Sequence, residues 1–133
     1  MNQHIPIVSR EDVVRIVARE FPPDQIPQVL SALSAYGTES YHREVDRVHL
    51  DILKIANGKL DRIIQETENA CCDYRDTMVS AEYPNYGRKM FKLDKLSPEE
   101  RNGIIDSDKD QYESWLHRKS HKEGEQGMAG QPA

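Results

Sequence analysis

The stretch YHREVDRVHLDILKIANGKLDRIIQETENACCDYRDTMVSAE, residues 41–82, decides the fold. On its first arm Val45, Val48, Ile52 and Ile55 recur at helical intervals, with Tyr41 and Ala56 on the same side. On its second arm Leu60, Ile63, Ile64, Thr67, Cys71, Tyr74, Met78 and Ala81 form one stripe, stepping mainly by three and four residues. Asn57-Gly58 stands between the arms. Glycine after a last helical turn accepts a left-handed backbone, and asparagine also favours that geometry. So short a connection predicts two antiparallel helices burying their stripes against each other. Asn-Gly also suits a β-hairpin, but the flanks lack the alternation that a strand pair needs.

Working outward, Ser9 and Asp12 mark the start of a first helix, with Val13, Val14, Ile16 and Val17 as its apolar side. Phe21-Pro22-Pro23 ends it. Asp24 caps a second helix, with Ile26, Val29, Leu30 and Leu33 facing inward and Gly37 as a stop. The third helix is expected to begin at Thr38 or Ser40, and Pro84 to end the fourth near Glu82. Asn85 to Lys95 reads as a loop. Ser97-Pro98-Glu99-Glu100 is a capping-box start. A short helix is expected to about Ile105 and a restart at Asp106 or Ser107, with Tyr112, Trp115 and Leu116 folding back onto the body. From Lys119 the chain is polar and Gly-rich. The expected organisation is one helical domain over residues 1–118 and a disordered tail over 119–133. The fold class is all-α, an irregular bundle of five to six helices around the hairpin.

The 133 residues are 37% hydrophobic and 31% charged, a mix that suits a small helical bundle with wet outer faces. A net charge of −5 argues against general nucleic-acid binding. No apolar run is long enough to span a bilayer, and the N-terminus lacks the form of a secretory signal. Adjacent Cys71 and Cys72 are no disulfide framework, so a reducing cytoplasm is the expected setting.

Glu39, His42, Asp46 and His49 are the candidate metal ligands. On the third helix His42, Asp46 and His49 fall at i, i+4 and i+7, which lines them along one stripe next to the apolar face, and Glu-x-x-His pairs serve di-iron bundles. A second pair would come from a partner subunit. The plainer account is a solvated flank pairing with Arg43 and Arg47. Cys71 falls on the apolar stripe as a small core cysteine, with Cys72 about 100° away. The pair lacks redox Cys-x-x-Cys spacing.

The segment Tyr83-Pro84-Asn85-Tyr86-Gly87-Arg88-Lys89-Met90-Phe91-Lys92 interleaves aromatic and basic residues. Such a mixture suits a protein interface or stacked bases, or simply packs a loop. Asp73, Arg75 and Asp76 form a polar cluster that either clasps the helix end or joins that interface. Phosphate-loop, nucleophile-elbow, His-Glu-x-x-His and zinc-quartet motifs are missing, and no cofactor or catalytic residue is assigned.

Leu53-Lys54-Ile55-Ala56-Asn57-Gly58-Lys59-Leu60, Asp73-Tyr74-Arg75-Asp76 and Ala81-Glu82-Tyr83-Pro84 carry a resemblance. Over roughly residues 30–116 the chain resembles small uncharacterised bacterial helical proteins, similar in having an Asn-Gly hairpin followed by Tyr-Arg-Asp and Glu-Tyr-Pro segments. The resemblance implies a helical fold and a bacterial cytosolic origin, and brings no activity. The leading expectation is a non-enzymatic protein-interaction module that also associates with itself, contacting partners through Tyr83, Tyr86, Arg88, Lys89, Phe91, Lys92, Asp73, Arg75 and Asp76. A metal-binding protein or metal-dependent enzyme is the second reading. Weak nucleic-acid contact through Arg88, Lys89, Lys92 and Lys95 is the third.

Overall fold

The computed structural model describes residues 7–88 and 95–118, with only the backbone of Arg88. The expected tail over 119–133 lies outside these residues, as do Lys89, Phe91 and Lys92. The described chain is all-helical: α1 (Arg10–Glu20), a single 3-10 turn (Pro23–Gln25), α2 (Ile26–Leu33), α3 (Val45–Ala56), α4 (Leu60–Glu82), α5 (Pro84–Arg88) and α6 (Pro98–His117). No described helix is long and apolar enough to cross a membrane.

The hairpin forms as the spacing predicts, and α3 against α4 is the most extensive helix pairing. Asn57 takes the left-handed cap (φ 52°) and donates its N–H to the Leu53 carbonyl at 3.2 Å. Gly58 continues the turn at φ 80°. The first arm is shorter than expected. Tyr36 Oη donates to the Arg43 carbonyl (2.7 Å) and accepts the Arg43 N–H (3.0 Å), and His42 Nδ1 accepts the Gly37 N–H (2.7 Å). These side-chain bonds hold residues 37–43 as a loop in competition with helical bonding, so α3 starts only at Val45.

The larger surprise is that α3 is central. Every residue from Arg47 to Leu53 is buried, the charged ones included. An amphipathic reading leaves Arg47, His49 and Asp51 in water. Packing of α1 and α4 on α3, with Tyr112, Trp115 and Leu116 of α6 in the same core, removes that wet face.

Helix α4 also departs from one uninterrupted stripe. Ile63, Thr67, Ala70, Thr77 and Ala81 are buried, with Tyr74 and Met78 packed against the core. Ile64 and Cys71 are exposed, and Ala70 takes the core position expected for Cys71. The helix is broken at Asp73, whose backbone is extended (φ −156°, ψ 94°). Asp73 Oδ1 accepts the Arg75 N–H at 3.1 Å, so the aspartate caps a second segment running to Glu82. Val14, expected on the inner side of α1, is exposed as well.

Pro84 ends α4 as expected, but residues 84–88 form α5 where a loop was expected. Gly87 permits this packing: a Cβ there would stand 2.7 Å from Val79 Cγ1. Helix α6 is continuous, with no break at Ile105. Its start is the expected capping box: Ser97 Oγ accepts the Glu100 N–H (3.1 Å), and Glu100 Oε1 accepts the Ser97 N–H (2.9 Å). Buried Ile105, Asp108, Tyr112 and Trp115 carry it through the weak helix formers Asp106 and Ser107.

The side chains of Asp108, Gln111 and Arg19 tie α6 to the body. Asp108 accepts the Asn85 and Tyr86 N–H groups (3.0 and 2.9 Å), capping α5 from another helix. Gln111 Nε2 donates to the Ala81 carbonyl at 3.1 Å. Arg19 Nη1 donates to the Trp115 carbonyl at 2.7 Å while its guanidinium lies over the indole, 5.2 Å from the ring centroid. A cation at the C-terminal end of α6 also complements the helix dipole.

Candidate functional site at the kink of α4

The break at Asp73 opens a surface hollow of about 270 Å³ between α4 and the loop before α3. Tyr41, His42 and Tyr36 line one side; Cys71, Cys72, Asp73, Tyr74 and Arg75 line the other. Tyr36 and His42 stack with centroids 4.4 Å apart, and Tyr41 meets His42 edge-on at 4.9 Å. Tyr41 is nonetheless 65% exposed, and the Arg75 side chain is 78% exposed with one long contact to Asp73 at 3.5 Å. Two larger hollows, of 350 and 430 Å³, are lined by Ile7 and Val8 in one case and Leu96 in the other, residues beside segments outside the described chain.

His42 is the one imidazole among the hollow's lining residues, and its Nδ1 lone pair already accepts the Gly37 N–H. That Nδ1 lone pair is therefore engaged within the fold. Partial burial, then Cys72 and Glu68, push the Cys71 thiol above its ordinary range, which lowers its thiolate character.

The four candidate metal residues are not brought into one stripe. Glu39 and His42 lie in the loop, Asp46 and His49 on α3. His49 is buried: Nδ1 accepts from Arg10 Nη1 (2.8 Å), and Nε2 donates to the Tyr36 carbonyl (2.7 Å). Arg10 also reaches Asp46 at 3.3 Å. Both imidazole lone pairs are thus engaged within the fold. Among the described residues no three His, Cys, Asp or Glu side chains are grouped to hold a metal ion.

Of the expected interface residues, Asp73 and Arg75 line the hollow and Asp76 is exposed just beyond it. Tyr83 and Tyr86 are half-buried, and the Tyr86 N–H is held by Asp108 of α6.

A second cluster, unread in the sequence, is sealed inside the bundle. Arg47 on α3 donates Nε (2.8 Å) and Nη2 (2.5 Å) to the two carboxylate oxygens of Glu82 at the end of α4. Burial works against the Arg47 charge, but the Glu82 bonds outweigh it and hold the guanidinium firmly protonated. Asp51, one turn after Arg47, is 0% exposed, and neither of its oxygens accepts a well-formed hydrogen bond. The buried Tyr112 hydroxyl stands beside it, likewise without a well-formed hydrogen bond. The signal for this cluster was Arg-x-x-x-Asp at i and i+4 on an otherwise apolar helix, with Glu82 ending the facing one. No family model, curated protein or solved structure matches the chain.

Proposed function

We propose that this chain is a non-enzymatic protein-interaction module that docks a partner at the α4 hollow. The observation that carries the reading is the break at Asp73, which sets an exposed tyrosine and an exposed arginine around a concavity. Tyrosine and arginine are among the residues enriched in binding hot spots. At about 270 Å³ the hollow falls below the size of most small-molecule sites and suits a single anchoring side chain. The engaged His42 ring and the weakly acidic Cys71 thiol favour recognition over catalysis. A bacterial cytosolic setting rests on the resemblance and on the free adjacent cysteines.

The test compares the intact chain with a Tyr41→Ala/Arg75→Ala variant and with Val14→Ser, an exposed change on α1. Affinity is measured for any captured partner, and light scattering tests a second copy as that partner. The double variant is expected to lose binding by about thirtyfold or more, as for loss of a hot spot of about 2 kcal/mol. Val14→Ser is expected to bind normally. Equal binding by all three proteins would remove the hollow from the account.

A further inference from the structure

The sealed cluster places two buried carboxyl groups against one guanidinium. Glu82 is held by Nε and Nη2 of Arg47, and Nη1 of the same side chain turns to Glu44 at 3.1 Å. Asp51 receives no well-formed hydrogen bond, although it is fully buried and Glu82 and Tyr112 stand close enough to interact with it. Ionised, it would be an uncompensated negative charge in the core, among the costliest arrangements a fold can hold. Carrying a proton, it becomes a donor, and the neighbouring Glu82 carboxylate is an acceptor with lone pairs to spare. The cluster then holds one positive and one negative charge.

We propose that Asp51 carries a proton in the native state and donates it to the Glu82 carboxylate, a buried proton-binding site that ties the stability of the bundle to pH.

The groups facing Asp51 are few. From α3 come Arg47 and Lys54; from the end of α4, Glu82, with Tyr83 following; from α6, Tyr112, with Asp108 near Lys54. Lys54 is the one alternative counter-ion. No ion pair joins it to Asp51 or Asp108 within 4 Å among the described residues, and burial lowers its own affinity for a proton. Burial first, and Glu82 second, push Asp51 well above the ordinary carboxylate range. When the proton leaves for solvent, the second buried negative charge has no partner. The native state is then destabilised relative to the unfolded chain, where water solvates Asp51.

The sign follows from linkage. Between the ordinary Asp value of 3.8 and the raised folded value, the native state holds a proton that the unfolded state has released. Stability is therefore complete below the ordinary value and is lost as pH rises through the folded one. The experiment measures urea unfolding of the full chain against pH, with Asp51→Asn and Lys54→Met alongside. Trp115, the only tryptophan and a residue of α6, is the fluorescence probe. Carboxyl-carbon NMR follows Asp51 directly in the unaltered protein.

Relative to Asp51→Asn, the wild-type unfolding constant is expected to rise about tenfold per pH unit across the window, the slope for one proton. The asparagine amide replaces the donor that Asp51 presents to Glu82, so the variant keeps the fold and gains stability at high pH. An Asp51 resonance titrating near the ordinary carboxylate value overturns the proposal. So does a flat difference profile, or a slope removed by Lys54→Met and untouched by Asp51→Asn.

Discussion

At the scale of single residues, the polar groups of α3 decide the character of the core. Arg47, His49 and Asp51 each occupy a position where a small bundle ordinarily places an aliphatic side chain, and each is accommodated differently. Arg47 keeps its charge through two bonds to Glu82. His49 keeps its neutrality, because the Arg10 guanidinium occupies its acceptor nitrogen and the Tyr36 carbonyl takes its hydrogen. Burial first, and Arg10 among the nearby groups, lower the His49 value below the ordinary 6.5. Stability from this group is complete above 6.5 and is lost as pH falls through the folded value, since the unfolded chain takes up a proton the native state refuses. Relative to His49→Gln, wild-type urea midpoints are expected to fall as pH drops below 6.5. His49→Gln is expected to flatten that fall, glutamine offering one donor and one acceptor to the same partners. A midpoint that drops equally in the variant would assign the acid sensitivity elsewhere.

At the scale of elements, turns and caps follow the sequence closely, and interruptions do not. The Asn57-Gly58 hinge is set by local geometry alone, and Gly58 at φ 80° lies where an L side chain is strained. Gly58→Ala is expected to cost about 1 kcal/mol, read from urea unfolding, through backbone conformation. Space is not the reason, since the new Cβ would meet only the Glu20 carbonyl at an ordinary 3.4 Å. A neutral Gly58→Ala would show that the hairpin re-forms its turn. The break at Asp73 was legible only in part. Aspartate is a good cap, but Cys71-Cys72-Asp73 sits inside a strong helical period, and the period hid the cap. The late start of α3 was hidden for a related reason: Tyr36 and His42 reach across the loop, and no spacing rule anticipates such bonds.

At the scale of the whole molecule, α6 closes the core from the far end of the chain. Tyr112, Trp115 and Leu116 join a core otherwise built from α1 to α4, and Arg19, Gln111 and Asp108 supply the polar ties. Trp115 is nearly buried, lies 5.7 Å from the Tyr112 ring and underlies the Arg19 guanidinium. Trp115→Ala is expected to cost about 3–5 kcal/mol, the range for deleting a large core aromatic. Hydrogen exchange should then rise first in α6, with the α3–α4 hairpin protected longest. Uniform acceleration throughout would mean that α6 and the hairpin unfold as one unit. The same closure brings Tyr112 to Asp51, so the site proposed for the Asp51 proton exists only in the assembled bundle.

The sequence by itself determined the all-helical class, the antiparallel hairpin, the ends of α1 and α4 and the capped start of α6. Each is written in neighbouring residues: apolar period, left-handed turn residues, prolines and caps. Tertiary structure alone decided which polar residues are buried. A helix with one apolar stripe is ordinarily wet on its other face, and only the arrival of α1 and α6 around α3 made Arg47, His49 and Asp51 interior. It also decided that, among the described residues, no three of the candidate metal side chains group to hold an ion, and that the Asp73 kink opens beside Tyr41. Those outcomes depend on contacts between residues dozens of positions apart. Local spacing carries no information about them.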